Sequence, residues 1–200
     1  MEQYERLRES LSGLRTGQVY RKFIAKNGKE VTLRAIKWED LDGVLEFINK
    51  LVEERDIEPD IGIVVDRKQT REQEAEWLAN RLAEIEKGDT ISAVAEVDGR
   101  IVANSEVMRG RFGDTRHHAR LGISVTREYR DLGIGTEMMR TLLEESRKIG
   151  LKTIELEVFT NNKRAIHVYE KVRFREVGRI PNKIYRNGQF FDITIMAAQL

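Results

Sequence analysis

Residues 125–136 carry a pattern that suits the binding of a phosphate group. The stretch reads Val-Thr-Arg-Glu-Tyr-Arg-Asp-Leu-Gly-Ile-Gly-Thr, so a β-branched strand is followed by Arg-x-x-Gly-x-Gly and then by an amphipathic helix. The first-turn amides of a helix have no partners within it, and the helix macrodipole favours anions at this end. Gly133 and Gly135 lack a Cβ, which allows a tight turn and a close approach of the ligand. We therefore expect a phosphate site here.

Two other phosphate-binding patterns compete for this loop. No Lys-Ser or Lys-Thr follows the glycines, which excludes the phosphate loop of nucleotide hydrolases. In the dinucleotide-binding fingerprint the third glycine would fall at Met138, although Glu155 lies at about the expected distance downstream. That fingerprint follows its strand directly, whereas residues 127–132 intervene here. The spacing therefore disfavours a nucleotide-binding oxidoreductase.

A second motif follows the helix. Residues 153–159 alternate apolar and acidic side chains, which predicts a strand. Asn161-Asn162 ends the alternation and helical spacing resumes at residues 163–171, so one of these asparagines is expected to cap a helix. The motif itself reads Asn162-Lys-Arg-Ala-Ile-His-Val-Tyr-Glu-Lys-Val-Arg-Phe.

The two motifs, in this order and at this separation, resemble those of the GNAT superfamily of N-acetyltransferases, which hold acetyl-coenzyme A. In that family an Asn, an Ala and a Tyr are followed by Glu-Lys-x-Gly-Phe, and Arg173 stands here in the glycine position. A positive φ at Arg173 would strain the turn, and otherwise the turn is built differently. The run from Phe174 to Asp192 resembles the branch of ribosomal-protein N-terminal, amino-acid and spermidine acetyltransferases.

The resemblance implies a mixed α/β fold of the GNAT type, with a central, mostly antiparallel sheet and helices on both faces. The strands ending near Val125 and beginning near Thr153 would splay apart and admit the pantetheine arm of acetyl-CoA. Arg130 would either contact the pyrophosphate or only cap the loop. The residues implied in cofactor binding are Ile123, Val125, Arg130, Leu132, Gly133, Ile134, Gly135, Thr136 and Asn162.

The resemblance also implies that Tyr169 protonates the leaving thiolate, the alternative being a tyrosine packed in the core. An amine must lose a proton before it attacks, because an unperturbed lysine-like amine has a pKa of about 10.4. The base is open, since many relatives carry a glutamate where this chain has Arg120. Glu106, His117 or His118, or a base acting through ordered water, remain as alternatives. At most one of the two histidines faces the site, because neighbouring side chains on a strand point in opposite directions.

Composition narrows the remaining functions. The chain has 200 residues, a net charge of +1 and no cysteine, so it suits one domain without disulfides, thiol nucleophiles or Cys-ligated metals. No metal is expected, since His, Asp and Glu do not cluster at ligand spacing, and His167 is assigned a structural role. The charge gives no case for a nucleic-acid partner. No segment approaches the roughly 20 apolar residues of a membrane span, and we expect a soluble cytoplasmic protein.

Periodicity divides the chain into an N-terminal helical extension, residues 1–20, and a single acetyltransferase-like domain, residues 21–200. The predicted order is ββ-α-α-βββ-α-β-α-ββ. Asn27-Gly28 indicates a type I′ hairpin, and Asp98-Gly99 and Asn187-Gly188 indicate two more. Thr70 and Gln73 form a capping box at the start of a helix. The last strands often make dimer contacts in relatives, so a homodimer is also expected.

The sequence thus predicts an N-acetyltransferase that moves an acetyl group from acetyl-CoA to a primary amine, of a small molecule, peptide or protein, by direct transfer in a ternary complex. The alternative is a catalytically silent domain that binds acyl-CoA as a sensor or assembly module, and Arg120 in place of glutamate keeps that alternative open. Acidic residues between 53 and 60 would favour a cationic acceptor if they face the cleft; otherwise they form a solvated loop.

Overall fold

The computed structural model describes residues 16–62 and 65–200. The strands are β1 (Val19–Ile24), β2 (Glu30–Arg34), β3 (Thr90–Val97), β4 (Arg100–Arg109), β5 (His118–Val125), β6 (Thr153–Phe159), β7 (Arg175–Arg186) and β8 (Gln189–Gln199). The helices of the described residues are α1 (Leu41–Ile57), α2 (Arg71–Glu86), α3 (Ile134–Lys148) and α4 (Lys163–Lys171). The predicted order of elements is confirmed. Within the predicted N-terminal extension, the amphipathic pattern that predicts a helix covers residues 1–14, which lie outside the described residues. The division at residue 20 stays a prediction.

All eight strands form one sheet in the order β1-β2-β3-β4-β5-β6-β8-β7. Neighbouring strands are antiparallel except β5 and β6, which run parallel and are joined by α3 as the crossover. The predicted mixed, mostly antiparallel sheet is therefore confirmed. The single parallel pair is the most important one for the site, because the chain leaves β5 there and enters the segment that carries the phosphate-binding pattern.

The parallel pair opens after a few residues. Only residues 118–120 of β5 pair with residues 153–155 of β6. Beyond Arg120, β5 stays paired with β4 as far as Val125, while β6 stays paired with β8 along its whole length. The backbone groups of β5 that point toward β6 after Arg120 therefore have no strand partner. The predicted splay between these two strands is confirmed.

Apolar residues fill both faces of the sheet, so helices cover both. In β3, Ile91 and Ala93 belong to a core shared with Met138 of α3, whereas Val94 points to the opposite face. Val94 belongs to a smaller core with residues of α1 and α2. A strand covered on both faces needs an almost continuous apolar run, and β3 is buried along nearly its whole length. None of the described helices is both long enough and apolar enough to cross a membrane.

The hairpins follow two turn types. Asp98 and Gly99 have φ angles of 50° and 75°, and Asn187 and Gly188 have 50° and 78°, as type I′ turns require. The type I′ prediction for Asn27-Gly28 is wrong. Only Gly28 has a positive φ there, 83°, and its amide donates to the carbonyl of Ala25 at 2.9 Å. Residues 25–29 separate the two strands, and loops of that length are usually built around a type I turn.

The predicted capping box at α2 is confirmed. The Thr70 hydroxyl accepts from the Gln73 amide at 3.3 Å, and the Gln73 side chain accepts from the Thr70 amide at 3.0 Å. These two hydrogen bonds fix the start of α2.

Candidate active site

A cavity of about 480 Å³ occupies the gap where β5 and β6 separate. Its walls come from α1, β4, β5, the loop before α3, and α4. Backbone groups of β5 without a strand partner face it, so an extended ligand with amide groups can pair along one side. Of the residues expected to bind such a ligand, Ile123 and Val125 both line this cavity.

The phosphate-binding pattern forms a loop that presents free amides to the cavity. Gly133 has a φ of 90° and caps α3, and Asp131 also has a positive φ of 62°. The first helical bond of α3 runs from the Glu137 amide to the Gly133 carbonyl at 3.1 Å. The amides of residues 134–136 therefore have no partner in the described chain, and they point along the positive end of the helix. This arrangement suits a pyrophosphate.

Gly135 leaves room between this loop and β5. A Cβ placed on Gly135 would lie 3.8 Å from Val125 Cγ2 and 3.9 Å from Ile123 Cδ1, which is ordinary contact. A methyl group would fit there, but a larger side chain would extend into the gap. Gly133, Gly135 and Thr136 all line the cavity. Their role in cofactor binding stays a prediction.

Two residues of the predicted cofactor set do not line the cavity. Ile134 is 1% exposed and packs in the main core, and Leu132 packs against the same core while its carbonyl accepts from the Lys26 amide at 3.2 Å. Their side chains hold the loop against the core. Only the backbone amide of Ile134 remains for the ligand.

Arg130 lines the cavity, but its side chain is engaged by the protein. Nε donates to the Val125 carbonyl at 2.8 Å, and the two terminal nitrogens pair with Glu54 and Glu58. Glu54 also accepts from the Arg127 amide at 2.8 Å. Of the two predicted roles, the geometry therefore favours capping of the loop over a direct contact with pyrophosphate.

The second motif delivers α4 to the same cavity. The Asn162 side chain accepts from the Ala165 amide at 3.0 Å, which caps α4, and it donates to the Asp60 carbonyl at 3.2 Å. The cap is Asn162 and not Asn161. Asn162 lines the cavity and ties the start of α4 to the segment after α1.

Tyr169 lines the cavity from α4 and is largely buried. Its ring packs against Phe174 with centroids 6.3 Å apart, so it is also part of the core. The hydroxyl makes no hydrogen bond to the described residues, and burial raises the pKa of Tyr169 to about 12. The hydroxyl therefore stays protonated at neutral pH and is available as a donor.

Glu106 lies on β4 directly opposite Gly122 of β5. Because Gly122 has no side chain, the Glu106 carboxylate is open to the cavity. Burial raises the pKa of Glu106 to about 7, although nearby Arg81 opposes the shift. Arg81 Nε lies 2.8 Å from Glu106 Oε1 without hydrogen-bond geometry. A carboxyl with a pKa near neutral pH is well suited to accept a proton.

The other proposed bases lie elsewhere. His118 is not part of the cavity wall; it sits at the paired end of β5 and β6, with Nε2 3.6 Å from Glu155. His117 is exposed in the turn before β5. Arg120, which replaces the glutamate of many relatives, is exposed and pairs with Glu157 at 2.9 Å. The cavity thus brings Glu106 and Tyr169 together and leaves His118 outside.

The acidic residues between 53 and 60 are not among the residues that line the cavity. Glu54 and Glu58 pair with Arg130, and Glu58 also pairs with Arg127 at 3.1 Å. Glu53 pairs with Lys68 on the surface at 2.6 Å. Glu54 and Glu58 thereby hold the loop before α3 against α1 and the segment that follows it.

Several residues of the cavity wall with basic side chains were missed by the sequence analysis. His167, assigned a structural role, is exposed and lines the cavity. Lys26, Arg164 and Lys171 line it as well, at the side of the phosphate-binding loop and α4. Arg164 and Lys171 lie within the second motif, which was the available signal. Lys26 comes from a hairpin that is distant in the chain, and no feature of the sequence pointed to it.

Arg173 has a φ of 72°, the left-handed conformation that favours glycine. Its amide donates to the Glu170 carbonyl at 2.9 Å and ends α4. The turn therefore adopts the conformation that glycine favours, and the arginine bears the strain. The cavity wall at Tyr169 is preserved.

Known proteins match this arrangement in sequence and in fold. Residues 52–174 match the model of the Acetyltransferase (GNAT) family. An N-alpha-acetyltransferase from Sulfurisphaera tokodaii is 28% identical over 185 residues, covering 88% of this chain and 97% of the relative. An L-amino acid N-acetyltransferase from Escherichia coli is 31% identical over 105 residues, covering 52% of this chain. The chain spans only 65% of that relative's length, and 55% of a relative from Xenopus tropicalis.

The fold is shared with solved structures. A GNAT superfamily phosphinothricin acetyltransferase from Sinorhizobium meliloti, in complex with acetyl-CoA, superimposes with a TM-score of 0.73 at 17% identity. The match covers 85% of this chain and 88% of that one. The family match spans both motifs, the splayed strands and the loop before α3. The chain therefore belongs to the acetyltransferase (GNAT) family, whose cosubstrate is acetyl-CoA.

Proposed function

We propose that this protein transfers the acetyl group of acetyl-CoA to a primary amine, directly and within a ternary complex. One observation carries the proposal: Glu106 and Tyr169 line the same cavity as the unpaired backbone of β5 and the free amides at the start of α3. Relatives that act on amino acids and on N-terminal amino groups agree with an amine acceptor.

The chain's own residues divide the binding of acetyl-CoA. Backbone groups of Ile123 and Val125 would pair with the amides of the pantetheine arm, and the amides of residues 134–136 would hold the pyrophosphate. Lys26 and Arg164 add positive charge to the cavity wall on the side of this loop. Bound there, acetyl-CoA supplies an activated acetyl thioester.

Two proton transfers accompany the acetyl transfer. Glu106 takes a proton from the acceptor nitrogen as the new C–N bond forms. Tyr169 gives its proton to the sulfur as the C–S bond breaks, so the products are an N-acetylated amine and coenzyme A with a free thiol. A positioned acid or base typically contributes about 10²–10⁴-fold to the rate. Solvent exchange then returns Glu106 and Tyr169 to their starting protonation states.

The experiment is an acetyl-transfer assay that follows thiol release with a panel of amines. The chain contains no cysteine, so a thiol reagent meets no protein background. Thiol release that requires an amine, with intersecting lines in initial-rate plots, supports direct transfer. Parallel lines indicate an acyl-enzyme and contradict the ternary complex. Saturable acetyl-CoA binding without acetylation of any amine would favour the silent acyl-CoA-binding domain.

A cytoplasmic location and a homodimer stay predictions. Tyr185 and Phe190 form an exposed aromatic pair on the β7–β8 hairpin, with centroids 4.9 Å apart. This surface supports the proposed homodimer, and sedimentation of a variant with both rings replaced by serine tests it.

A further inference from the structure

A second, smaller cavity of about 170 Å³ adjoins the main one beneath α1. The two share Phe47, Ile48 and Asn104 as common wall residues. The remaining wall is formed largely by Val44, Val65 and Trp77, so most of the surface is apolar. This cavity lies on the face of the sheet that carries α2 and Glu106, on the acceptor side.

Glu74 of α2 brings a buried carboxylate to this apolar cavity. Its residue is 6% exposed, and the side chain has no ion pair or hydrogen bond with any residue in the described ranges 16–62 and 65–200. Burial raises the pKa of Glu74, as expected for a carboxyl without a cationic neighbour. An unpaired buried carboxyl is costly to the fold, and natural proteins usually supply it with a partner.

The shared wall holds a second acceptor without a donor. The side-chain oxygen of Asn104 is buried and has no hydrogen-bond partner among the described residues. Two neighbouring side chains are each engaged through one atom: the Gln73 oxygen accepts from the Thr70 amide, and the Gln69 nitrogen donates to the Arg67 carbonyl at 2.7 Å. Arg81 cannot serve Glu74 either, because it pairs with Glu84 and Glu106. The Glu74 carboxyl and the Asn104 side-chain oxygen are thus acceptors without a donor partner among residues 16–62 and 65–200.

We propose that this second cavity binds a cationic nitrogen of the acceptor, carried on an alkyl chain, through Glu74 and the Asn104 oxygen. The inference rests on the proposed function and names its substrate class. The acceptor is a molecule with two amino groups joined by an aliphatic chain. One nitrogen remains an ammonium at Glu74, the chain lies against Phe47 and Ile48, and the other nitrogen reaches the base Glu106. The selecting negative charge therefore comes from α2, and not from the acidic segment at residues 53–60.

The test compares α,ω-diaminopentane with n-pentylamine, which has the same chain and one amino group. For the wild type we expect kcat/KM to be at least about tenfold higher with the diamine than with pentylamine. A tenfold difference corresponds to about 1.4 kcal/mol of interaction free energy. In Glu74→Gln this ratio should fall to about one, because the advantage of the diamine is lost. The glutamine keeps the shape of the side chain and removes the charge, so the variant is expected to fold. Glu76→Gln, on an exposed position of the same helix, is the matched control and should keep the wild-type ratio.

A second measurement separates failure of the subsite from failure of the proposed function. Calorimetric titration of α,ω-diaminopentane into the protein saturated with coenzyme A reports binding without chemistry. Binding lost in Glu74→Gln and kept in Glu76→Gln supports the subsite even if no amine is acetylated, in which case only the acetyl transfer is overturned. Equal acetylation of both amines, unaffected by Glu74→Gln, overturns the subsite and leaves acetyl transfer standing. Diamine binding that is indifferent to Glu74 likewise overturns the subsite.

Discussion

The phosphate-binding loop and the acceptor side of the cavity are built in different ways. The loop uses consecutive residues and offers backbone amides, with Gly133 and Gly135 providing the conformation. The acceptor side uses single side chains from separate elements, Phe47 of α1, Glu74 of α2 and Glu106 of β4. A backbone site depends on local chain geometry, whereas the acceptor side depends on packing between distant segments.

This difference predicts unequal responses to substitution. Changes at the loop should act on acetyl-CoA affinity, and changes at the acceptor side should act on turnover and on the choice of amine. A change that affects both equally would break the distinction.

The largest effect on acetyl-CoA affinity is expected for Gly135→Trp. The indole would fill the space between the loop and β5, where even a Cβ lies 3.8 Å from Val125 Cγ2. Acetyl-CoA binding by calorimetry should weaken by at least about 100-fold, or about 2.7 kcal/mol. Gly135→Ala, whose methyl fits in ordinary contact, is the control and should bind within a few-fold of wild type. Wild-type affinity in the tryptophan variant would show that the cosubstrate lies elsewhere.

Glu106→Gln should lower kcat by about 10²–10⁴-fold and leave acetyl-CoA affinity unchanged. Because the base must be deprotonated, wild-type kcat/KM should rise with pH through about 7, where Glu106 titrates. The variant should lose that limb of the profile. Glu157→Gln is a suitable control, since Glu157 lines the same cavity but pairs with Arg120. An unchanged profile in Glu106→Gln would assign the base to another group or to ordered water.

Glu106 should also make the stability of the fold depend on pH. Its pKa is about 7 in the folded protein against an ordinary 4.5, so the folded state binds this proton more tightly than the unfolded state. The stabilisation is fully present below about pH 4.5 and is lost as the pH rises through about 7. The loss is on the order of 3 kcal/mol, from 1.36 kcal/mol per unit. In urea unfolding, Glu106→Gln should flatten this dependence, and an equally steep curve would contradict the assignment.

Tyr169→Phe should lower kcat by about 10²-fold, which is the low end of the range for a positioned general acid. The effect is small because a thiolate is a weak base and leaves readily even when it is not protonated. Acetyl-CoA affinity and the unfolding midpoint should hardly change, since the hydroxyl has no hydrogen bond to the described residues and the ring contact with Phe174 remains. Unchanged turnover would make Tyr169 a core residue only.

The smallest effect is expected for Arg173→Gly, in the turn after α4, and it is an effect on stability. Glycine adopts the φ of 72° without strain, so the free energy of unfolding should rise by about 0.5–1 kcal/mol. Arg175→Gly, two residues later at the start of β7, should instead destabilise the protein by a similar amount. Chemical denaturation measures both. A destabilised Arg173→Gly would mean that the arginine side chain contributes more than its backbone conformation costs.

The same contrast explains what could be predicted from the sequence. The elements follow from periodicity and from Gly and Asn positions, and the splayed strands follow from the family resemblance of two contiguous motifs; both are confirmed. Phosphate binding by the loop stays a prediction. The engagement of Arg130 by Glu54 and Glu58 was open, because it joins residues more than 70 positions apart. Arg173 likewise needed the backbone angle to decide between two interpretations.

The acceptor side was only partly accessible to the sequence. Glu106 was one of several proposed bases, and its pKa depends on burial that only the packed fold creates. His118 was proposed as a base because it begins β5, the strand that lines the cavity. In the structure it lies at the end of β5 that pairs with β6, where the gap is closed. Glu74 gave no signal at all, since a glutamate on an amphipathic helix usually faces solvent.

The gap between β5 and β6 is in effect an open sheet edge in the interior of the molecule. Open edges ordinarily recruit another strand, and with it self-association. Here the ligand is expected to act as the missing strand, so its binding completes the sheet as well as delivering an acetyl group. A ligand at 100 times its Kd stabilises a fold by about 2.7 kcal/mol. The resistance of this protein to proteolysis and aggregation in the cell should therefore rise and fall with the concentration of acetyl-CoA.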